Sequence, residues 1–134
     1  MKGVAVIVCA VLLLAACGGG GGGSSAEDEI RAAYKGYFSP VGTLEDHAAF
    51  LEDGTKPDSP IQATHFSGLS GETVSNVTLQ GASRAKVTFD VHYSIYHGER
   101  VGYAVLQDGK WKVAAETVCQ VVAIFGSPWH ACNS

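Results

Sequence analysis

The stretch Ala85-Lys86-Val87-Thr88-Phe89-Asp90-Val91-His92-Tyr93-Ser94-Ile95-Tyr96 decides the fold. Its odd-numbered residues are apolar or aromatic and its even-numbered ones mostly polar. A period of two predicts a β-strand with one face on a core and the other in water. Strands of that kind belong to antiparallel sheets covered on one side. Working outward, His97-Gly98 turns the chain into a strand at 100–107. Asp108-Gly109 then turns it into another at 110–117, the Asp-Gly pair suiting the positive φ angles of a tight hairpin. Upstream, 73–80 reads as a strand with Val77 and Leu79 on one face and Gly81 at its turn. The four together predict an antiparallel meander. The apolar run 118–125 fits either a continuation of the last strand or a closing helix.

The first half of the chain has a different period. Ile30, Ala33, Tyr34, Tyr37 and Phe38 recur at helical spacing, behind a capping serine at Ser25 and acids in the first turn, and Ser39-Pro40 stops the run. Thr43 with Asp46 three residues on predicts the cap of a second helix bearing Leu44, His47, Ala48 and Leu51 on one face, with Gly54 as a left-handed stop. Residues 61–66 predict a short helical turn. Helices first and strands afterwards give an α+β domain, its N-terminal helices packed on one face of a four-stranded antiparallel meander sheet.

The ends of the chain carry a different message. Lys2, the eleven-residue apolar run 4–14 and the sequence Leu14-Ala15-Ala16-Cys17 read as a bacterial lipoprotein leader, in which small residues admit the peptidase and the cysteine thiol is acylated. The apolar run is too short for the ~20 residues of a spanning helix. Residues 1–16 are thus expected to be a signal peptide, 17–25 a lipidated Cys17 followed by a Gly/Ser tether, and 26–134 a single domain. Six glycines and two serines reach on the order of 16 Å. Gly18 to Gly23 lacks the preceding strand and following Lys-Ser/Thr of a phosphate loop.

Taking those 25 residues from 134 leaves 109, enough for one modest core and no second domain. With Lys2 set aside, 8 basic residues face 13 acidic ones, and no basic stripe suits nucleic acid. Of four cysteines, Cys9 falls in the leader and Cys17 is the acylation site. Cys119 and Cys132 remain, and export to an oxidising compartment predicts a disulfide between them.

Ala104-Val105-Leu106-Gln107-Asp108-Gly109-Lys110-Trp111-Lys112-Val113, with Thr117 and Cys119, resembles the terminal hairpin of small exported lipoproteins and secreted antigens of mycobacteria and related actinobacteria. Tyr37-Phe38, Leu44 and Phe50-Leu51-Glu52-Asp53-Gly54 are similar to that family's helical half, and 85–91 to its long strand. The resemblance, to the low-molecular-weight antigen family, covers most of 26–119 and implies a cone-like arrangement similar to nuclear transport factor 2. It implies no defined activity. The tail 126–134, with Trp129 and Cys132, departs from the family's short end.

A cone-like domain of this kind can leave an apolar cavity between sheet and helices. Phe89, Tyr93, Tyr103 and Trp111 are expected on the inward face, with Tyr34 and Tyr37 arriving from the first helix, so these six are the candidate pocket for a small apolar ligand or lipid. No carboxylate falls on that expected face, which disfavours an isomerase-like enzyme. Asp90 and His92 share the wet face. His92 and His97 are expected on opposite faces, His47, His65 and His130 have no spaced partner, and the histidines read as surface or turn residues, so neither a metal site nor a cofactor is expected. The resulting expectation is a non-enzymatic envelope lipoprotein, anchored by lipid at the extracytoplasmic face of the cell membrane. It would serve a protein partner as an interaction or accessory domain, or bind a small apolar ligand.

Overall fold

A computed structural model describes residues 22–64, 66–126 and 130–133. The order is α1 (Gly22–Tyr37), α2 (Leu44–Ala48), a 3-10 turn (Pro60–Ala63), β1 (Leu69–Leu79), β2 (Arg84–Tyr93), β3 (Glu99–Gln107), β4 (Lys110–Val113), α3 (Ala115–Ala123) and a 3-10 turn (His130–Asn133). The strands form one antiparallel sheet in sequence order, the expected meander. α1 packs against both outer strands, β1 and β4, so the sheet must curl around it as a half-barrel. This α+β arrangement is consistent with a cone-like, nuclear-transport-factor-2-like shape.

The periodicities explain the packing. Ile30, Ala33, Tyr34, Tyr37 and Phe38 are buried along α1, facing Ala85, Val87, Phe89, Val91 and Tyr93 of β2. Tyr34 meets Phe89 edge-on at 5.0 Å between ring centres, and Phe38 stacks on Phe89 at 5.8 Å. α1 begins at Gly22, ahead of the expected Ser25 cap, because extending a packed helix by a residue is far easier than nucleating one.

Each outer edge is engaged at one point. On β4, Glu52 N–H donates to the Val113 carbonyl and Val113 N–H to the Phe50 carbonyl, a short parallel bridge around Leu51. On β1, Arg31 Nη1 donates to the Val74 carbonyl at 2.6 Å while its other nitrogens hold Glu27.

Several expectations are corrected. The last strand stops at Val113, and 115–123 is helix, which also resolves the ambiguous run that follows. α3 has no side-chain cap of its own; Glu52 Oε1 accepts from Ala115 N–H at 3.0 Å and supplies one from a distant loop. Asp53, not Gly54, takes the left-handed backbone, and Gly54 is required because any Cβ there would collide with the Ala48 carbonyl. The long strand ends at Tyr93, which leaves Ile95 exposed in the connection. The Asp108-Gly109 turn has positive φ at both residues, as expected.

Candidate functional site

The six residues nominated for a pocket separate. Tyr34, Tyr37 and Phe89 lie fully inside, with their rings in mutual or shared contact. Tyr34 Oη donates to the Tyr103 carbonyl at 2.8 Å, and Tyr37 Oη lies 2.8 Å from Thr64 Oγ1. Burial pushes both phenols well above their usual range. Tyr93 is also buried, against Phe125, and its hydroxyl has no hydrogen-bond partner among the described residues; burial pushes its pKa up to about 12.

Tyr103 is a correction, because it does not face inward. It pairs with Lys86 on the outer face of the sheet, its ring under the Arg84 guanidinium at 4.1 Å. Gly102 and Ala104 occupy the inner face instead. A Cβ on Gly102 would collide with Thr117 and Phe89, so the close return of α3 demands small residues where hydrophobicity favours tyrosine. β4 is too short to reach Tyr103, and the Thr117 hydroxyl accepts from Tyr103 N–H at 2.7 Å in place of a strand.

Trp111 belongs to a different space. It lines an open cleft of about 540 Å³ between α1 and β4, with Ala32, Ala33, Ala49, Phe50 and Gly109. Glu29 and Lys110 stand at the same cleft and bring opposite charges to an otherwise apolar surface. Phe50 reaches it by lying on Gly36, where a Cβ would strike the ring. Of these residues the sequence reading singled out only Trp111 as part of a site. Alanines and a turn glycine carry no chemical signal until the fold brings them together.

The other flank of α1 holds a residue the sequence reading missed. Bulges shift the β1–β2 register between Leu69 and Gly71 and between Val74 and Asn76, so that Glu72 faces Val91 on the concave side. Strict alternation from Val77 and Leu79 would have sent it outward. Glu72 lines two smaller clefts, of about 250 and 210 Å³, the first with Arg31 and the second with Phe38, and Lys35 lies in both. Among the described residues its buried Oε2 has no hydrogen-bond partner, and desolvation raises its pKa despite nearby His92, Lys35 and Arg31. An inward carboxyl with a raised pKa was expected to be absent.

The histidines also differ from expectation. His47 is buried, stacked on Phe66 at 4.0 Å with Nδ1 2.8 Å from the Tyr37 carbonyl, and is a core residue. His92 and His97 do not point apart. Because the chain turns after Tyr93, both approach Asp90 Oδ2, at 3.8 and 3.9 Å, while Asp90 Oδ1 accepts from Gly98 N–H. Among the described residues no group of three or more His, Cys, Asp or Glu is placed to hold a metal ion. His65, Trp129, Cys17 and the leader lie outside the described residues. Cys119 and Cys132 are bridged, with Cα atoms 5.5 Å apart, tying α3 to the C-terminal turn.

Residues 24–128 match the family model described as low molecular weight antigen MTB12, C-terminal domain. The chain belongs to this family. The match begins inside α1 and takes in α2, all four strands and α3, which accounts for the likeness read in its hairpin and helical half. A further similarity, 36% identity over 67 residues, is to the calcium-binding tyrosine phosphorylation-regulated protein of Vulpes vulpes. It covers 50% of this chain and 12% of that protein, so this antigen-family chain corresponds to a small part of it.

Proposed function

We propose that this antigen-family domain is a lipid-anchored extracytoplasmic protein that acts by binding a ligand or partner at its surface. Leu14-Ala15-Ala16-Cys17 supports acylation, and the Cys119–Cys132 bridge supports export, since thiols stay reduced in the cytosol. The observation that carries the binding reading is the open apolar cleft between α1 and β4, in a domain whose interior rings are packed on one another and whose Tyr34 and Tyr37 hydroxyls are already engaged. Detergent phase partition of wild type against Cys17→Ala tests the anchor. Wild type is expected in the detergent phase and the variant in the aqueous one, and equal partition would refute acylation. Mass spectrometry of molecules that copurify from the native envelope tests the binding role.

One observation favours a second reading, proton transfer by Glu72. Its carboxyl has a raised pKa, an unpartnered oxygen and an open approach beside Lys35. On that reading, a substrate conversion supported by the wild-type chain would vanish in Glu72→Gln and follow a single ionisation above the ordinary carboxylate range. Conversion that survives in Glu72→Gln would exclude it.

A further inference from the structure

We propose that the α1/β4 cleft takes one acyl chain of a zwitterionic phospholipid of the phosphoethanolamine type, drawn from the membrane that holds the anchor. The source of the lipid rests on the lipid-anchor reading. The apolar part of the cleft is lined by Ala32, Ala33, Ala49, Phe50 and Trp111, a trough of small side chains with two aromatic ones. Its volume, about 540 Å³, falls inside the range of small-molecule sites, roughly 300–1,000 Å³. An acyl chain is an apolar occupant that ends in a polar head, so the charges at the cleft bear on which head fits.

Those charges are Glu29 and Lys110, and neither side chain has an ion-pair or hydrogen-bond partner among the described residues. A head carrying both an ammonium and a phosphate offers each of them an opposite charge. A purely anionic head would place its charge near the Glu29 carboxylate, and a purely cationic one near the Lys110 ammonium. The position fits the source. Glu29 lies seven residues into α1 from Gly22, about 10 Å along the axis. The five residues from Cys17 to Gly22 span at most about 18 Å. The cleft is therefore held within roughly 30 Å of the acylated residue, near the lipid headgroups.

The test uses the full chain with Cys17→Ala, so that no anchor contributes, and Trp129→Phe, so that Trp111 is the sole indole. Monomeric lysophosphatidylethanolamine with a brominated chain is expected to quench Trp111 saturably, and lysophosphatidylglycerol to bind at least tenfold more weakly. Glu29→Lys, which leaves two cations at the cleft, should invert that preference. Ala32→Phe at an exposed position should fill the trough and weaken quenching at least tenfold with an unchanged circular dichroism melt. Retention of the same lysolipids through gel filtration, read by mass spectrometry, repeats the comparison with both tryptophans in place. Absence of saturable binding, indifference to Ala32→Phe, or a head preference untouched by Glu29→Lys would each overturn the proposal. Cys17-dependent partition without lysolipid binding would retain the anchor and remove the lipid site; lysolipid binding without such partition would retain the site and remove the anchor as its lipid source.

Discussion

Gly102 offers the sharpest test of how the sheet and α3 fit together. A Cβ at this position would meet the Thr117 methyl, the Thr117 hydroxyl at 2.8 Å and the Phe89 ring at 2.9 Å, all within the fully buried interior. Overpacking of this kind costs typically ~1–3 kcal/mol, offset by up to ~1 kcal/mol from replacing a strand glycine. The expected loss for Gly102→Ala is about 2 kcal/mol, or roughly 10 °C in Tm for a domain of this size. Thr117→Ser removes the colliding methyl but retains the hydroxyl that serves Tyr103 N–H, and should cost about 1 kcal/mol by itself. In the double variant the new Cβ finds part of its space vacated, so the two losses should fall short of their sum by about 1 kcal/mol. Urea melts of the four chains followed by circular dichroism measure the cycle. A neutral Gly102→Ala, or losses that add within ~0.5 kcal/mol, would refute the view that α3 sets the small residues of β3.

Two further outcomes are expected. Glu72 has a raised pKa in the folded domain, so its carboxylate form is disfavoured there: its stabilising effect is present below the unfolded pKa and is lost as pH rises through the folded one. Glu72→Gln should therefore melt higher than wild type near pH 7, with the difference shrinking near pH 4; equal melts across that window would contradict the burial of Oε2. Replacing Cys119 and Cys132 by alanine opens a loop of sequence separation 13 and should cost about 3 kcal/mol in chemical denaturation, whereas a loss below ~0.5 kcal/mol would mean the bridge restrains little.

What could be read from the sequence was whatever is local. The period-3.6 face of α1 and the period-2 face of β2 hold the core as expected, since each is a repeated choice over many residues. Asp108-Gly109 was legible for the same reason, as its turn geometry depends on two adjacent residues. Residues 115–117 were misread although Ala115 and Glu116 favour a helix, because they follow the strand 110–113 with no capping side chain at Ala114 to mark a break, and the cap that starts α3 comes from Glu52, 63 residues earlier. Glu72 was missed because a single bulge reverses the facing of everything beyond it. The cleft was largely invisible because it is defined by small side chains on three separated segments.

The two flanks of α1 divide the chemistry of the domain. The helix occupies the curl of the sheet with its aromatic face, so whatever remains open lies along its sides. Toward β4 the space is mainly apolar, lined by alanines with Phe50 and Trp111 and charged at Glu29 and Lys110; toward β1 it is charged and contains Glu72 with Arg31 and Lys35. Apart from one shared residue the two spaces are lined by different side chains, so the proposed surface binding on the β4 side and the proposed proton chemistry on the β1 side draw on separate groups. Ala32 borders both. A bulky residue there intrudes on either flank, whereas changes at Trp111 or Glu72 act on one alone, and this asymmetry is what allows the two functional readings to be separated in a single protein.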